Sequence, residues 1–216
     1  MNIRFKLLLL FVLLFSVSLC FGQDYQIKTL FNGNGYRATT GYGALGNKFT
    51  TIRGEFANMA EIYGGVYINH KFLIGVSGAA VTNDIEVPEE YSTMPGVKMS
   101  YQYGQFGLMT EYTLWSNRAI HLSFHVMNGA GFTVQYQRSP SWDNDGYWED
   151  YEQTSHDTNW FFVTEPGVKI EMNVFKWMRF SPGISYRAAY GSEGLGLTDD
   201  DLSGISTNLT LKFGKF

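Results

Sequence analysis

Apolar and polar residues alternate one by one over long segments of this 216-residue chain. In the segment 204–214, the odd positions are Ile205, Thr207, Leu209, Leu211 and Phe213. The even positions between them are Gly, Ser, Asn, Thr and Lys. Because side chains of a β-strand point alternately to opposite faces, this segment predicts a strand with one apolar and one polar face.

The same alternation predicts eight strands. The first and weakest lies near 41–52, and the others lie near 56–69, 72–82, 97–115, 120–136, 160–174, 178–188 and 204–214. Several are far longer than the ~5–6 residues of an average globular strand, and they reach the ~9–11 residues that cross a bilayer at a tilt. Within 97–115 the apolar residues change from odd to even positions, which predicts a β-bulge at Gly104–Gln105.

Strand length and alternation together favour an all-β fold, an eight-stranded antiparallel up-and-down transmembrane β-barrel over residues 40–216. Its apolar faces would contact lipid, and Gly and Ser beside ionised groups would fill a narrow lumen. A soluble ligand-binding barrel, with the apolar faces inward, is the alternative. Only 17% of the residues are charged and the single Cys is at position 20, which excludes a disordered chain, a basic nucleic-acid module and a disulfide-stapled mini-protein.

Residues 1–22 have the pattern of a signal peptide for export through the Sec pathway. Two basic residues, Arg4 and Lys6, precede an apolar run that is too short to span a bilayer, and small residues stand before Gln23. A lipoprotein acylated at Cys20 is the alternative. Residues 23–39 are then an N-terminal lead-in to the barrel.

Short and long connections alternate along the chain. The short ones lie near 69–71, 116–118 and 175–177, and the long ones are 83–96, 139–158 and 191–202. The long connections hold most of the 20 acidic residues and no Lys or Arg, whereas the short ones carry Lys71, Arg118 and Lys176. Outer-membrane barrels have short periplasmic turns and long external loops. Rings at the two membrane interfaces are expected from Phe72, Tyr112, Trp115 and Trp177 near the turns and from Tyr101, Tyr136, Trp160 and Tyr190 near the loops.

Three segments resemble a known family: 165–174, 185–187, and the ending Lys212-Phe213-Gly214-Lys215-Phe216. They are similar to small outer-membrane barrels of Bacteroidota, and the chain as a whole resembles the OmpA/OmpX type. The resemblance implies a location in the bacterial outer membrane and recognition of the last strand, through Phe213 and Phe216, by the outer-membrane assembly machinery. Phe216 departs from the parity of Phe213. The family implies no single function, because such barrels act as anchors, adhesins, enzymes or conduits.

The polar faces of the predicted strands collect ionisable residues in the lumen. A low-dielectric interior demands that such charges be paired, which predicts a hydrogen-bonded network that plugs the barrel. A proton or ion path is the alternative. The predicted members are Glu61, Glu111, Glu165, Lys169, Glu171, Arg179, Arg187 and Lys212.

Two groups of residues suggest catalysis. His121, Ser123 and His125 share one strand face, where a His can activate a Ser, although lumen-lining polar residues give the same pattern. Ser155 and His156 lie in a long loop, where they would suit an enzyme that modifies outer-membrane lipid or lipopolysaccharide.

The loop 139–158 follows part of the spacing of a calcium-binding loop. Asp143, Asp145, Glu149 and Glu152 supply carboxylates at the relevant intervals, so weak binding of Ca²⁺ or Mg²⁺ is one hypothesis and a solvated acidic loop is the other. Aromatic residues in the same loop could contact a surface protein or a glycan.

The function predicted from these patterns is a structural or surface-interaction role, through acidic and aromatic external loops and a charge-paired lumen. No cofactor and no nucleic acid is expected, and the partners are outer-membrane lipid and lipopolysaccharide. A lipid-modifying enzyme and a small-molecule conduit are the alternatives.

Overall fold

The structure is a computed structural model that describes residues 39–68, 71–138 and 157–214, and these residues belong to one compact unit. The predicted signal segment 1–22 lies outside the described residues, as does the lead-in 23–39 except for Thr39, where the first strand begins. The predicted Cys20 lipoprotein site lies outside them as well.

The described chain is an eight-stranded antiparallel β-barrel, which confirms the predicted fold class. Each strand pairs with its neighbour in sequence, and the first and last strands pair to close the barrel. The strands are β1 (Thr39–Ile52), β2 (Glu55–Ile68), β3 (Phe72–Val81), β4 (Met99–Leu114), β5 (Ile120–Gln137), β6 (Asn159–Phe175), β7 (Met178–Tyr190) and β8 (Gly204–Gly214).

The apolar faces of the strands point outward. Ile170, Ile184 and Leu209 are each about half exposed, whereas Arg187 and Lys212 are fully buried inside the barrel. This arrangement is the reverse of a soluble ligand-binding barrel. An exterior of this kind is stable in hydrocarbon, and closure leaves no unpaired strand edge there.

Connections of different length occupy the two ends of the barrel. We call the end with the short connections 69–71, 115–119 and 176–177 the turn end, and the opposite end the loop end. The loop end carries the connections 53–54, 82–98, 138–158 and 191–203, of which 139–156 lies outside the described residues. β1 begins and β8 ends at the turn end, where Gly214 N donates to Trp177 O at 3.0 Å.

The predicted bulge at Gly104–Gln105 is wrong. β4 pairs with β3 and with β5 in continuous register through both residues. Tyr101 and Tyr103 are fully buried inside the barrel, so Tyr101 is also not the interfacial ring that was predicted. Both errors have one cause: the barrel interior is itself apolar at the loop end, so an apolar residue there faces inward without any change of register.

The observed irregularity lies elsewhere, in the pairing of β6 with β7. Its register shifts between Asn173 and Phe175, next to the short connection at the turn end. Bulges at barrel rims re-aim neighbouring side chains.

An apolar core fills the barrel at the loop end. Strand residues meet residues of two long connections there, and all are buried. We call this cluster the loop-end core; its large members are Met59, Ile85, Tyr101, Tyr103, Phe161 and Leu202.

The two long connections that the structure describes contain short helical segments, a 3₁₀ turn at Glu89–Tyr91 and a four-residue helix at Asp199–Leu202. Thr198 and Asp201 form a capping box at the start of the latter. Among the described residues, no helix has the length and apolar character needed to cross a membrane.

Candidate functional site

Most of the ionised side chains of the interior form two clusters, of which the first lies midway along the barrel. We call it the central cluster; it consists of Lys48 on β1, Glu61 on β2 and Glu165 on β6. Lys48 Nζ lies 2.7 Å from Glu61 Oε1 and 2.9 Å from Glu165 Oε1. The strand period turns all three side chains inward, so one ammonium group connects three strands across the lumen.

Neutral donors complete the bonding of Glu165. Gln105 Nε2 donates to Glu165 Oε2 at 2.6 Å, and Ser185 Oγ donates to Glu165 Oε1 at 2.6 Å. Tyr103 OH in turn donates to Gln105 Oε1 at 2.6 Å. Because a buried carboxylate is costly unless its lone pairs are used, these contacts stabilise Glu165 in a fixed position.

The second cluster lies near the turn end and is centred on Lys212 of β8. Lys212 Nζ lies 2.5 Å from Glu111 Oε1 and also contacts Glu171 Oε1. Glu171 Oε2 lies 2.9 Å from His121 Nε2 and 3.3 Å from Arg179 Nη1. We call these five residues the turn-end cluster. Tyr67 OH donates to its Glu111 at 2.5 Å.

Two buried cations form no ion pair among the described residues. Lys169 Nζ donates to Tyr63 OH at 2.9 Å and lies 4.5 Å from the centre of that ring. Arg187 donates from Nε to Leu202 O at 2.5 Å and from Nη2 to Thr51 O at 2.8 Å. Its guanidinium lies 4.9 Å from the centre of the Tyr103 ring. Ring faces and carbonyl oxygens thus partly replace carboxylates for these cations.

The structure places all eight residues of the predicted lumen network in the barrel interior. It brings Glu61 and Glu165 together in one cluster and Glu111, Glu171, Arg179 and Lys212 in the other, whereas Lys169 and Arg187 stand apart. Lys48 belongs to the central cluster but is absent from the predicted set. Alternation is weak in its strand because several positions are Gly or Thr. Lys48 nevertheless lies an odd number of residues from Leu45, which is 56% exposed, and this spacing places the Lys48 side chain on the inward face.

The residues proposed for a Ser–His pair do not contact one another. His121 instead bonds to Glu171, and its Nδ1 lies 3.2 Å from Arg118 O. Ser123 Oγ has no hydrogen-bond partner among the described residues, although it is buried on the same face. Nothing in this geometry activates Ser123 as a nucleophile.

Several predicted site residues lie outside the described residues. They are the proposed cation ligands Asp143, Asp145, Glu149 and Glu152, the proposed enzyme pair Ser155 and His156, and the terminal Phe216. In the part of the chain that is described, no group of three or more His, Cys, Asp or Glu side chains is placed to hold a metal ion. Phe213 is partly exposed, and its ring stacks on Trp177 with 6.2 Å between centroids.

Hydrogen bonds fix the long connections over the loop-end core. Tyr101 OH donates to Leu195 O at 2.7 Å, and Arg53 Nη1 donates to Gly196 O at 2.6 Å. Gln135 Nε2 donates to Tyr91 O at 2.8 Å, and the Arg53 guanidinium lies 4.7 Å from the centre of the Tyr91 ring. The connections 82–98 and 191–203 therefore lie against the barrel mouth.

The surface of these connections is acidic. Ile85 and Val87 point inward while Asp84 and Glu86 point to solvent. Tyr136 OH donates to Asp84 Oδ1 at 2.6 Å, and Arg138 Nε lies 3.3 Å from Asp84 Oδ2. The Tyr136 hydrogen bond and then the Arg138 contact lower the pKa of the exposed Asp84 carboxyl.

The closed eight-stranded barrel with an apolar exterior and an ion-paired interior defines the fold class of small outer-membrane β-barrels. Among solved structures, the chain is similar to Neisserial surface protein A, with 10% identity, a TM-score of 0.53, and coverage of 82% of this chain and 97% of the other. It is also similar to a major outer membrane protein from Thermus thermophilus, with 10% identity, a TM-score of 0.52, and coverage of 82% and 99%. No protein-family model and no curated protein sequence matches the chain.

Proposed function

We propose that the chain is an integral protein of the bacterial outer membrane with a structural or surface-contact role and a lumen that conducts no solute. The observation that supports this proposal is the burial of side chains in the interior at three levels. They belong to the loop-end core, the central cluster and the turn-end cluster. Eight-stranded barrels have an interior just wide enough for side chains to fill.

Export through the Sec pathway and assembly in the outer membrane belong to the same proposal. The signal-like segment 1–22 supports export, and the aromatic ending with Phe213 and Phe216 supports recognition by the assembly machinery. The outward apolar faces support insertion in lipid.

The surface contact is assigned to the acidic loop end. Glu89, Glu90 and Asp200 are exposed there, and so is Tyr91, with 40% of its surface accessible. Carboxylates at that position would contact lipopolysaccharide through bridging Ca²⁺ or Mg²⁺, because these cations prefer oxygen ligands. Tyr91 provides a ring for a glycan or protein partner.

Two measurements, one on the native protein and one on the refolded barrel, test the membrane and lumen parts of this proposal. Membrane fractionation should yield a band that requires detergent for extraction and that changes gel mobility on heating. Planar-bilayer recording of the refolded barrel should show no single-channel steps. A band extracted without detergent would overturn the membrane assignment, and reproducible conductance would overturn the closed lumen.

The surface part is tested by binding of purified lipopolysaccharide to the barrel in nanodiscs. Binding should rise with Mg²⁺ and fall after chelation. Replacing Glu89 and Glu90 by Gln should weaken it, whereas replacing the half-buried Ser92 by Ala in the same connection should not. If neither chelation nor the Gln substitutions changed the binding of lipopolysaccharide, a cation-bridged contact would be contradicted.

A further inference from the structure

A polar cleft lies at the turn end of the barrel, and Arg179 of the turn-end cluster forms its inner side. It has a volume of about 820 Å³, with Ser116, Asn117, Asn173, Lys176 and Arg179 on its polar side. Hydrogen bonds join its two walls: Asn173 N donates to Ala119 O at 2.9 Å, and Asn173 Nδ2 donates to Arg118 O at 3.1 Å. These two hydrogen bonds hold the β4–β5 connection against the end of β6.

The cleft is cationic. None of the described residues that line it carries a carboxylate, and Lys176 is exposed at its rim. Arg179, only 3% exposed, closes its inner side and lies 3.3 Å from Glu171, so the exposed positive charge of the cleft is that of Lys176. Ammonium, guanidinium, amide and hydroxyl groups are the donors that bind phosphate oxygens.

Apolar surface adjoins the polar side of the cleft. Val174 and Phe175 line it, and the Phe175 ring stacks on Trp177 with 5.5 Å between centroids. Phe175 and Trp177 are each more than half exposed on the barrel exterior. Aromatic rings of this kind mark the level at which lipid headgroups meet the hydrocarbon.

We propose that this cleft binds the phosphate headgroup of an anionic phospholipid from the leaflet at the turn end. Lys176 Nζ and the donors of Ser116 and Asn117 contact the phosphate oxygens, and the acyl chains lie along Val174 and Phe175. A free phosphate ion shares the polar chemistry but makes no use of the apolar side. The inference rests on the proposed function in that the barrel must be embedded in lipid.

The chain offers a matched pair of lysines for the test. Lys176 lines the cleft, whereas Lys71 is an exposed lysine of another short connection at the same end and does not line it. Loss of one exposed ion pair with the phosphate corresponds to up to about a fivefold change in affinity. Lys176→Gln should therefore weaken binding of phosphatidylglycerol about fivefold, and Lys71→Gln should change it less than twofold.

The experiment is native mass spectrometry of the refolded full-length barrel in detergent, titrated with phosphatidylglycerol, phosphatidylcholine or glycerol phosphate. We expect retained phosphatidylglycerol, weaker retention of phosphatidylcholine, and rescue of the loss by Lys176→Arg. Equal effects of the two Gln variants would overturn the site in favour of diffuse attraction. Retention of glycerol phosphate at the same concentrations as phosphatidylglycerol would overturn the lipid assignment in favour of a free phosphate site.

Heat-modifiable gel mobility of each variant separates this inference from the proposed function. A folded, heat-modifiable barrel without selective lipid retention defeats only the headgroup site. A protein that never gives the heat-modifiable band defeats the membrane barrel itself.

Discussion

The two ends of the barrel interior are stabilised by different kinds of contact. The loop end is closed by apolar packing, in which Met59, Tyr103 and Phe161 of the strands meet Ile85 and Leu202 of the connections. The turn end is held by ion pairs, in which Lys212 contacts Glu111 and Glu171. Both ends are buried to the same degree, so burial alone does not decide the chemistry of an interior.

The difference follows from what each end has to join. At the turn end, connections are short and the interior side chains of the described residues come from strands, so charges on different strands are brought together by pairing across the lumen. At the loop end, long connections supply apolar side chains that fold back over the mouth. Apolar packing tolerates adjustment of position, whereas a buried ion pair requires an accurate partner.

The largest expected effect is the loss of the cation that unites the turn-end cluster. Lys212→Met leaves Glu111 without an ion pair among the described residues and Glu171 with Arg179, and we expect the free energy of unfolding to fall by about 3–5 kcal/mol. Urea titration of the barrel folded in lipid vesicles, followed by gel mobility, measures it.

Lys169→Met is the matched control for this substitution. Lys169 is equally buried and lies in the same interior, but it contacts Tyr63 rather than a carboxylate. Its removal should cost about 1 kcal/mol or less, since no counter-charge is left behind. Equal losses for the two Met variants would show that ion pairing does not distinguish the turn end.

The apolar end should respond to the loss of volume. Leu202→Ala removes a fully buried side chain of the loop-end core, and we expect a loss of about 3 kcal/mol together with faster proteolysis of the connection 191–203. Asp200→Ala, an exposed change in the same short helix, should stay within about 0.5 kcal/mol. If cleavage of the connection did not change in Leu202→Ala, the core would not be what fixes it.

A further substitution tests the close approach of β4 and β5 between the two ends. Gly107 on β4 lies between Tyr103 and Glu111 and pairs with Gly129 on β5. A Cβ on Gly129 would lie 2.0 Å from Phe106 O, so Gly129→Ala should cost about 1–3 kcal/mol by the same urea titration. Gly78→Ala, where the nearest atom would be 3.9 Å away, should be close to neutral. If Gly129→Ala left the free energy of unfolding unchanged, β4 and β5 would be able to move apart at this point without loss of stability.

The fold was predictable from sequence because lipid and a filled lumen demand opposite residue types on alternate positions. β8 shows this most clearly: Leu209 faces outward and Lys212 inward, as the alternation requires. The rule that apolar residues face outward failed at the loop end of β4, since Tyr101 and Tyr103 lie on the inward face. Periodicity reveals two faces but does not reveal where along the barrel the inner face becomes apolar.

The membership of the interior clusters was less predictable than their location. Which cation meets which carboxylate depends on reach across the lumen, as in Lys48 to Glu165, which are 117 positions apart in sequence. Strand order and the alternation of inward-facing residues limit the possible cation–carboxylate pairs, but they do not determine which side chains meet. For that reason Lys169, which alternation grouped with the paired charges, lies against a tyrosine instead.

The smallest expected effect lies at the loop-end surface, where a strand side chain holds a connection. The hydrogen bond from Tyr136 and the contact with Arg138 lower the pKa of Asp84 below its ordinary 3.8. A carboxyl with a depressed pKa in the folded state adds stability above its ordinary pKa, and this contribution is lost as the pH falls through the folded value. Nuclear magnetic resonance titration of Asp84 should therefore give a pKa below 3.8 that rises in Tyr136→Phe, whereas Tyr190→Phe should leave it unchanged. An Asp84 pKa that is the same with and without the Tyr136 hydroxyl would mean that this contact does not fix the connection, and the apolar residues beneath it would then carry the closure of the loop end alone.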